Sequence, residues 1–229
     1  MKSLAVITAR GGSKRIPKKN IREFCGKPII QYSIESALES RIFDEVMVST
    51  DDEQIKEIAI SCGAKVPFMR SIETSSDVAM THEVLIEVIL KYKELGQEFD
   101  FMCCIYPTAP FITAHKLVNS MKVLQEKKAD TVIPIIPFSF PPQRGFIIEN
   151  DILQFKWPEN IFKRSQDLQL MYHDCGQYYC LSVERFMLEK KLIMAYTVPY
   201  IVSELEAQDI DNEVDWMMAE LKYKLMTKQ

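Results

Sequence analysis

The 229-residue sequence has no Cys-x-x-Cys pair, no internal repeat and no apolar run near the roughly 20 residues that cross a bilayer. Its six cysteines lack the spacing of a zinc site, and several lie in apolar runs, so we expect reduced and mostly buried thiols. Met1-Lys2-Ser3 leads directly into an apolar run, which predicts that there is no signal peptide. These absences predict a cytoplasmic protein without a membrane segment.

The charge of the chain argues against a nucleic-acid-binding protein. The chain has 28 Lys and Arg residues against 32 Asp and Glu residues, a formal net charge of −4, and no second basic stripe. Bulk attraction to nucleic acid is therefore not expected. Hydrophobic residues make up 47% of the chain, which is ordinary for a globular protein. Because low-complexity tracts and flexible linkers are also missing, residues 1–229 are expected to form a single domain.

The clearest local feature is a basic turn after the apolar run at residues 4–7. Gly11 and Gly12 allow backbone N–H groups to point into a concavity, which suits an anion. Five cations lie within ten residues: Arg10, Lys14, Arg15, Lys18 and Lys19. Taken alone, such a charge run is more often a solvated loop. Because it follows the first strand of an α/β chain, where open sheets bind ligands, we predict a nucleotide phosphate site.

Strands and helices alternate through the first 136 residues. Apolar runs predict strands at residues 4–7, 45–50, 65–68, 101–105 and 130–136. Helices are predicted with Pro28 in the first turn, after a cap at Asp51 or Asp52, from a cap at Thr81 to about residue 95, and from Thr113 to about residue 127. This alternation predicts an α/β fold with a mostly parallel sheet.

The pattern changes after Phe138. Pro141-Pro142 interrupts the alternation, and apolar stretches at 144–149 and 152–157 flank Asn150-Asp151, which predicts a hairpin. Further strands are predicted at 178–183 and 197–202, and a terminal helix from Asn212. We expect the region of about 138–200 to contain a small β-containing insertion that acts as a lid, a dimerisation arm or both.

The basic turn, closed by Lys19-Asn20, resembles the signature of the CMP–sugar synthetases, which are cytidylyltransferases for nonulosonic acids. Other matching motifs are Gly26-Lys27-Pro28, Ser49-Thr50-Asp51, Tyr106-Pro107-Thr108-Ala109-Pro110, Arg164-Ser165-Gln166-Asp167 and Asp209-Ile210-Asp211. The likeness extends from residue 4 to about residue 216. It implies a Rossmann-like, three-layer nucleotidyltransferase fold and a homodimer in which the 138–200 region reaches over the neighbouring cleft.

The resemblance also favours one branch of this family. The 164–167 motif and the stretch at 172–179 look most like those of the pseudaminic acid cytidylyltransferases. Enzymes for N-acetylneuraminate usually have Arg-Arg-Gln-Asp where this chain has residues 164–167, and Asn-Gly in the stretch that corresponds to 172–179. They also tend to have glutamine where this chain has Tyr106. Kdo-type enzymes share the opening motif, but Lys19-Asn20 looks more like the sialic acid branch.

The reaction that the resemblance implies is CTP plus a nonulosonic acid giving the CMP-sugar and pyrophosphate. Such a transfer needs positioning and charge neutralisation more than covalent chemistry. The implied catalytic residues are Arg10, Lys19 and Asp211. The implied nucleotide-binding residues are Ala9, Arg10, Gly11, Gly12, Ser13, Lys19, Asn20, Arg70 and Thr81, with Arg70 at the cytosine base and residues 75–77 shaping the same pocket.

Asp209 and Asp211 alternate across Ile210 and would face the same side of an extended segment. Two such carboxylates can hold Mg²⁺, which prefers oxygen ligands, and the family match falls on this pair. The competing interpretation is that Asp211 caps the terminal helix.

The resemblance assigns four residues to the sugar acid. Arg164 would bind its carboxylate in a bidentate contact, with Gln166 beside it. Tyr106, at a strand's carboxyl end, could contact the substrate or pack in the core. His173 could be a substrate ligand or a structural residue.

Three alternatives remain open at the level of sequence. The first keeps the chemistry but uses N-acetylneuraminate, legionaminate or Kdo. The second is a non-catalytic nucleotide-binding protein, which would not need acids near the phosphates to hold a metal. The third is an anion- or RNA-binding module, which the acidic total argues against. The favoured hypothesis has CTP and a nonulosonic acid as its partners, with neither nucleic acid nor membrane.

Overall fold

A computed structural model of the chain describes residues 1–227. Its strands in that range are β1 (Ser3–Thr8), β2 (Glu23–Phe24), β3 (Lys27–Pro28), β4 (Glu45–Ser49), β5 (Phe101–Ile105), β6 (Thr131–Pro137), β7 (Phe146–Glu149), β8 (Ile152–Phe155), β9 (Tyr172–Asp174), β10 (Tyr178–Ser182) and β11 (Thr197–Ile201). Its helices are α1 (Ile29–Ser40), α2 (Glu53–Ser61), α3 (Ile72–Ser75), α4 (Thr81–Glu94), α5 (Ala114–Glu126), α6 (Val183–Glu189) and α7 (Glu213–Thr227). None of these helices is both long and apolar enough to cross a bilayer.

The main sheet has the strand order β11-β6-β10-β5-β1-β4, and β9 also pairs with β6. β1 is parallel to β4 and β5, and β11 is parallel to β6. β10 is antiparallel to both of its neighbours, and β9 is antiparallel to β6. The predicted mostly parallel α/β sheet is therefore confirmed, with two reversed strands that the alternation of elements did not indicate.

The sheet is buried on both faces, which gives the three layers of the fold. Ala5 and Ile7 of β1 pack with α1, α2 and α5 in one cluster. Leu4 and Val6 point the other way and pack with α4 and α6. Successive side chains of a strand face opposite sides, so two helical layers explain why the strand sequences are almost wholly apolar.

A third cluster joins distant parts of the chain at one edge of the fold. Ile16, from the basic turn, and Ile210, from the segment before α7, are both buried in it. Phe24, Phe111 and Trp216 are among the aromatic residues that pack around them. Burying large apolar groups is the main favourable term in folding, so this cluster fixes the basic turn against the segment that carries Asp209 and Asp211.

Several sequence signals are confirmed at helix starts. Asp52 caps α2 by accepting the Ile55 N–H at 3.0 Å, and Thr113 caps α5 by accepting the Lys116 N–H at 3.3 Å. α1 begins one residue after Pro28, so Pro28 occupies the N-cap position and not the first turn in which it was predicted.

Two further local predictions are wrong. Residues 65–68 form no strand and make one isolated bridge, between Met47 and Lys65; Pro67 lacks the N–H that would extend the pairing. Thr81 is the first residue of α4 and not its cap, because Glu83 accepts the preceding Met80 N–H at 2.7 Å.

The alternative interpretation, in which Asp211 caps the terminal helix, is also wrong. Asn212, and not Asp211, caps α7, with its side-chain oxygen accepting the N–H groups of Val214 and Asp215. Capping therefore does not occupy the Asp211 carboxylate.

The structure divides the 138–200 region into two parts. Strands β9 and β10 lie in the main sheet, and α6, which the sequence did not predict, follows β10 and packs on the sheet. Residues 138–171 lie outside that sheet and contain the predicted hairpin, β7 and β8. Asn150 and Asp151 have φ values of 51° and 62°, which suits a tight two-residue turn.

Candidate active site

A cavity of about 490 Å³ opens where β1 and β5 end and β10 begins. This is the carboxyl edge of the parallel strands, where open α/β sheets bind ligands. The lining residues are Thr8, Arg10, Ser13, Lys14, Arg15, Lys19, Asn20, Arg70, Thr74, Ser76, Asp77, Ala79, Thr81, Val84, Tyr106, Pro107, Thr108, Gly176 and Asp209. The cavity therefore brings the basic turn together with Asp209, across nearly the whole length of the chain.

Each of the five cations of the basic turn contacts an acceptor within the protein. Arg10 and Lys14 both pair with Asp77, and the Arg10–Asp77 distance is 2.7 Å. Arg15 pairs with Asp211 at 2.8 Å. The remaining two contacts are Lys18 Nζ with Gln54 Oε1 at 2.8 Å and Lys19 Nζ with the Ile210 carbonyl at 2.7 Å. An incoming triphosphate would exchange for these acceptors.

Lys19 is the most enclosed of these cations. Burial lowers the pKa of its ammonium group below 10.5, and the carboxylates of Asp211 and Asp209 partly offset that effect. The neighbouring Asn20 is buried and donates from its side-chain amide to the Arg10 carbonyl at 2.8 Å. This hydrogen bond from Asn20 helps to fix the conformation of the basic turn.

Asp209 lines the cavity, and Asp211, which does not, lies close enough for its charge to act on Asp209. Burial raises the pKa of Asp209, and the nearby charge of Asp211 raises it further. Within residues 1–227, Asp209 forms no ion pair within 4 Å, whereas Asp211 pairs with Arg15. A half-buried carboxylate without a paired cation, beside a second carboxylate, fits a Mg²⁺ ion that takes its other ligands from water and phosphate. In residues 1–227 no group of three or more His, Cys, Asp or Glu residues is placed to hold a metal ion, so an ion bound here would have only Asp209 and Asp211 as protein ligands of these types.

The glycines of the turn do not have the expected role. The Gly11 N–H donates to Asp51 Oδ1 at 2.9 Å, so it is not free to bind an anion. Ala9 is fully buried and donates its N–H to the Ser49 carbonyl. Ala9, Gly11 and Gly12 do not line the cavity. They shape the turn that carries Arg10 and Ser13, and the side chains face the cavity instead.

Arg70 lies on the β4 side of the cavity and is buried. Its guanidinium donates to the Ser49 side chain at 3.0 Å and to the Ser49 carbonyl at 2.6 Å. Burial lowers its pKa to about 10, although Asp51 acts in the opposite direction. Among the described residues Arg70 has no carboxylate within 4 Å, and it is buried. Its position suits contact with a base carbonyl.

Tyr106 lies across the cavity from Arg70, at the end of β5. Its hydroxyl is 3.3 Å from the Thr81 hydroxyl, so the two predicted site residues meet. Burial raises the pKa of Tyr106, which keeps the phenol protonated. Tyr106 serves both open interpretations, since its ring packs in the core while it lines the cavity.

The three other residues assigned to the sugar acid do not line this cavity. Arg164 is 73% exposed and pairs with Asp167 at 2.8 Å, and Gln166 is exposed beside it. His173 is exposed on β9, its Nδ1 is 2.8 Å from the Asp174 carbonyl oxygen, and its ring packs on Phe138. Within one copy of the chain, the structure therefore does not unite these residues with Arg10 and Lys19.

Sequence reasoning missed Gly176 as a lining residue. Gly176 has a φ of +62° and lies against Asp209, since a Cβ added to it would be 3.6 Å from the Asp209 carboxyl carbon. A glycine just before a predicted strand signals a tight turn, but only the three-dimensional pairing places that turn at the cavity. Thr74 was also missed, because it lies in the short helix α3, which has no buried residue and so no apolar pattern to mark it.

The fold has a well-matched solved relative. CMP:2-keto-3-deoxy-manno-octonic acid synthetase, solved in complex with CTP, superposes with a TM-score of 0.70 over 100% of both chains, at 17% identity. This match establishes a nucleotidyltransferase fold, as the sequence resemblance implied.

Sequence comparisons narrow the class. Residues 4–183 match the cytidylyltransferase family. Pseudaminic acid cytidylyltransferase of Campylobacter jejuni subsp. jejuni serotype O:2 is 38% identical, with 98% of this chain and 97% of the relative covered. CMP-N,N'-diacetyllegionaminic acid synthase of Legionella pneumophila is 31% identical, with 96% and 95% covered. The chain belongs to the cytidylyltransferase family, and the resemblance read from its motifs is confirmed.

Gly11 provides a test of the packing beneath the basic turn. A Cβ added at Gly11 would lie 2.7 Å from Asp52 Oδ2, so Gly11→Ala must displace the residue that caps α2. We expect this variant to lose about 1 kcal/mol or more of the free energy of unfolding, measured by urea denaturation.

The matched control is Gly12→Ala, since no heavy atom lies within 4 Å of a Cβ added there. We expect its free energy of unfolding to change by less than about 0.5 kcal/mol. Equal losses in the two variants would show that contact with Asp52 does not restrict position 11.

Proposed function

We propose that the protein transfers CMP from CTP to the anomeric hydroxyl of a nonulosonic acid, with pseudaminic acid favoured, and releases pyrophosphate. The strongest support for this proposal is that Arg10, Lys19 and Asp209 all line the same cavity. Cations for a triphosphate and a carboxylate for a metal ion line the same space, which is large enough for a nucleotide. A protein that only bound CTP would have no need for the carboxylate.

In this proposal the basic turn holds the triphosphate. Arg10 exchanges Asp77 for phosphate oxygens, and Lys19 donates to the same anion while staying beside the Ile210 carbonyl. The turn is already shaped by Asn20, so little reorganisation is needed when charge develops on the leaving pyrophosphate. Arg10 and Lys19 are thus the proposed catalytic cations.

Asp209 and Asp211 are the proposed ligands of a Mg²⁺ ion. When bound, the ion would neutralise phosphate charge and polarise the phosphorus that is attacked. Asp211 becomes free to act as a ligand when Arg15 turns from it toward the triphosphate. Asp209 needs no such exchange, because it has no ion-pair partner in the described chain.

Arg70 and Tyr106 define the two ends of the proposed complex. Arg70, on the β4 side, is proposed to donate to the cytosine ring, and Thr81 lies at the boundary between the two ends. Tyr106, on the β10 side, is left for the sugar acid. The acceptor hydroxyl must approach the α-phosphorus in line with the departing pyrophosphate, and an acid bound near Tyr106 would do so from that side.

Pseudaminic acid is favoured over other acids because the pseudaminic acid cytidylyltransferase is 38% identical to this chain, whereas the CMP-N,N'-diacetyllegionaminic acid synthase is 31% identical. The legionaminic acid synthase is less similar and makes legionaminate the runner-up. We also propose that the reaction occurs in the cytoplasm, since all six cysteines are free thiols, as is usual in reducing compartments.

Pyrophosphate release tests the function. The purified protein with CTP, Mg²⁺ and pseudaminic acid should release pyrophosphate faster than with N-acetylneuraminate, legionaminate or Kdo, since the pseudaminic acid cytidylyltransferase is the more similar relative and Tyr106 lines the pocket. Replacing Asp211 by Ala should lower the rate by at least a hundredfold, because a metal ligand contributes several kcal/mol to charge stabilisation.

Two results would contradict this account. A protein that releases no pyrophosphate with any of the four acids is not a CMP-sugar synthetase of this kind. An Asp211→Ala variant with near-normal rates in Mg²⁺ would remove Asp211 from the metal site.

We further propose that the active form is a homodimer, as the family resemblance implies. Cross-strand pairing puts Phe146, Ile148, Leu153 and Phe155 on one side of the hairpin, which we call the hairpin face. Ile148 is 73% exposed and Leu153 is 61% exposed. An isolated two-stranded hairpin is marginally stable in water, and an exposed apolar face of this kind marks an interaction site. A second copy covering it would also bring Arg164 and His173 near a neighbouring cleft.

The hairpin face should control assembly. Replacing Ile148 and Leu153 together by Ser should convert a dimer to a monomer in sedimentation equilibrium, because both side chains would lose apolar contact area with the second copy. The matched control is Ile152→Ser, since Ile152 is 59% exposed on the other side of the same hairpin. A double variant that stays dimeric, or a control that dissociates as readily, would contradict the assignment of this face.

A further inference from the structure

On the β10 side of the cavity, Tyr106 is supported by Tyr179 and Asp174, two residues to which the proposed function assigns no role. Tyr106 presents its ring and hydroxyl to the cavity, with the Thr81 hydroxyl 3.3 Å away. Behind it lies Tyr179, whose ring packs edge to face on Tyr106 with the centroids 5.8 Å apart. Tyr179 is buried, so it supports Tyr106 from within the fold. The orientation of Tyr106 therefore depends on what holds Tyr179.

Asp174 holds Tyr179. The Tyr179 hydroxyl donates to Asp174 Oδ2, and a carboxylate can only accept, so the direction of this hydrogen bond is fixed. Burial raises the pKa of Tyr179 and the Asp174 charge raises it further, which keeps the proton on the phenol. The carboxylate has no cation within 4 Å in the described residues, so no ion pair competes for it.

The second oxygen of the same carboxylate shapes the adjacent turn. Asp174 Oδ1 accepts the Gly176 N–H at 2.8 Å, which stabilises the positive φ of Gly176. Gly176 lines the cavity and lies against Asp209. One exposed carboxylate thus orients two neighbouring parts of the cavity wall without lining the cavity itself.

The order of the strands assigns this wall to the acceptor substrate. β1, with its basic turn, lies between β4 and β5 in the sheet. Arg70 is bonded to the end of β4, on the nucleotide side, whereas Tyr106 and Gly176 lie at β5 and β10. A sugar acid that attacks the phosphorus must approach from the side that the nucleotide leaves open.

We propose that Asp174 is a positioning residue for the sugar acid, which fixes Tyr179 and through it Tyr106 where the cavity takes a hydroxyl or amide group of that acid. The proposal rests on the proposed function. Asp174 touches no reacting atom, and its effect is transmitted by one hydrogen bond and one ring contact. A wall held in this way selects its substrate because a polar group must meet Tyr106 in a single orientation.

Steady-state kinetics with CTP and the accepted acid test the proposal. Tyr179→Phe removes the hydroxyl that Asp174 holds but leaves the Gly176 turn intact, and Asp174→Asn changes the carboxylate at nearly constant shape. Each should raise the KM for the sugar acid about tenfold, as expected for losing a hydrogen bond to a charged group, with the KM for CTP changed less than about twofold. Glu57→Gln, at an exposed position of α2 that does not line the cavity, is the control for loss of a negative charge and should change neither KM.

A double-mutant cycle separates positioning from general damage to the fold. If Asp174 and Tyr179 act through Tyr106, then adding Tyr179→Phe to Tyr106→Phe should change the KM for the acid by less than about twofold. Additive effects in the cycle would overturn the proposal, as would a rise in the KM for CTP equal to that for the acid. An unaltered protein that releases no pyrophosphate would overturn the proposed function and this inference with it, whereas an active protein with unaffected variants overturns this inference alone.

Discussion

The structure depends on the burial of two isoleucines from opposite ends of the chain in one cluster. Ile16 comes from the basic turn and Ile210 separates the two acids, and both pack around Trp216. The Lys19 ammonium reinforces this junction by donating to the Ile210 carbonyl. The side chains that flank Ile210 cannot enter the same apolar cluster, so Asp209 and Asp211 remain beside the cations. Apolar packing thereby fixes a polar geometry that electrostatics alone would not specify.

In that geometry, burial disfavours the charged forms of two site residues in the free protein. Burial lowers the pKa of Lys19 and raises that of Asp209, so each group is held where its charged form is disfavoured. Arg10 and Arg15 meanwhile pair with Asp77 and Asp211 on the surface of the cavity, where ion pairs are weak and easily exchanged. A triphosphate and a divalent cation would together satisfy the groups that the free protein leaves poorly compensated. In this account, substrate binding is favoured because it compensates charges that the free protein leaves incompletely neutralised.

Sequence reasoning identified the strands and helices best where the signal is local. The apolar run of β5 and the caps at Asp52 and Thr113 are short-range features, and the structure contains them where they were predicted. Strand β10 was predicted, but its antiparallel direction was missed because a fully buried strand has an apolar sequence whichever way it runs. Within the site, the residue types Arg10, Lys19 and Asp209 were readable from motifs. The Asp174–Tyr179 contact was not, because it depends on a turn that brings together residues with no shared local pattern.

The most direct test of the central claim is a crystal structure with CTP and Mn²⁺, which occupies magnesium sites and is located by its anomalous scattering. The account predicts an anomalous peak bonded to a carboxylate oxygen of Asp209 or Asp211 and to a phosphate oxygen of CTP, with Arg10 and Lys19 on the same triphosphate. A Mn²⁺ ion bound away from both acids, or a triphosphate bound away from the basic turn, would contradict it.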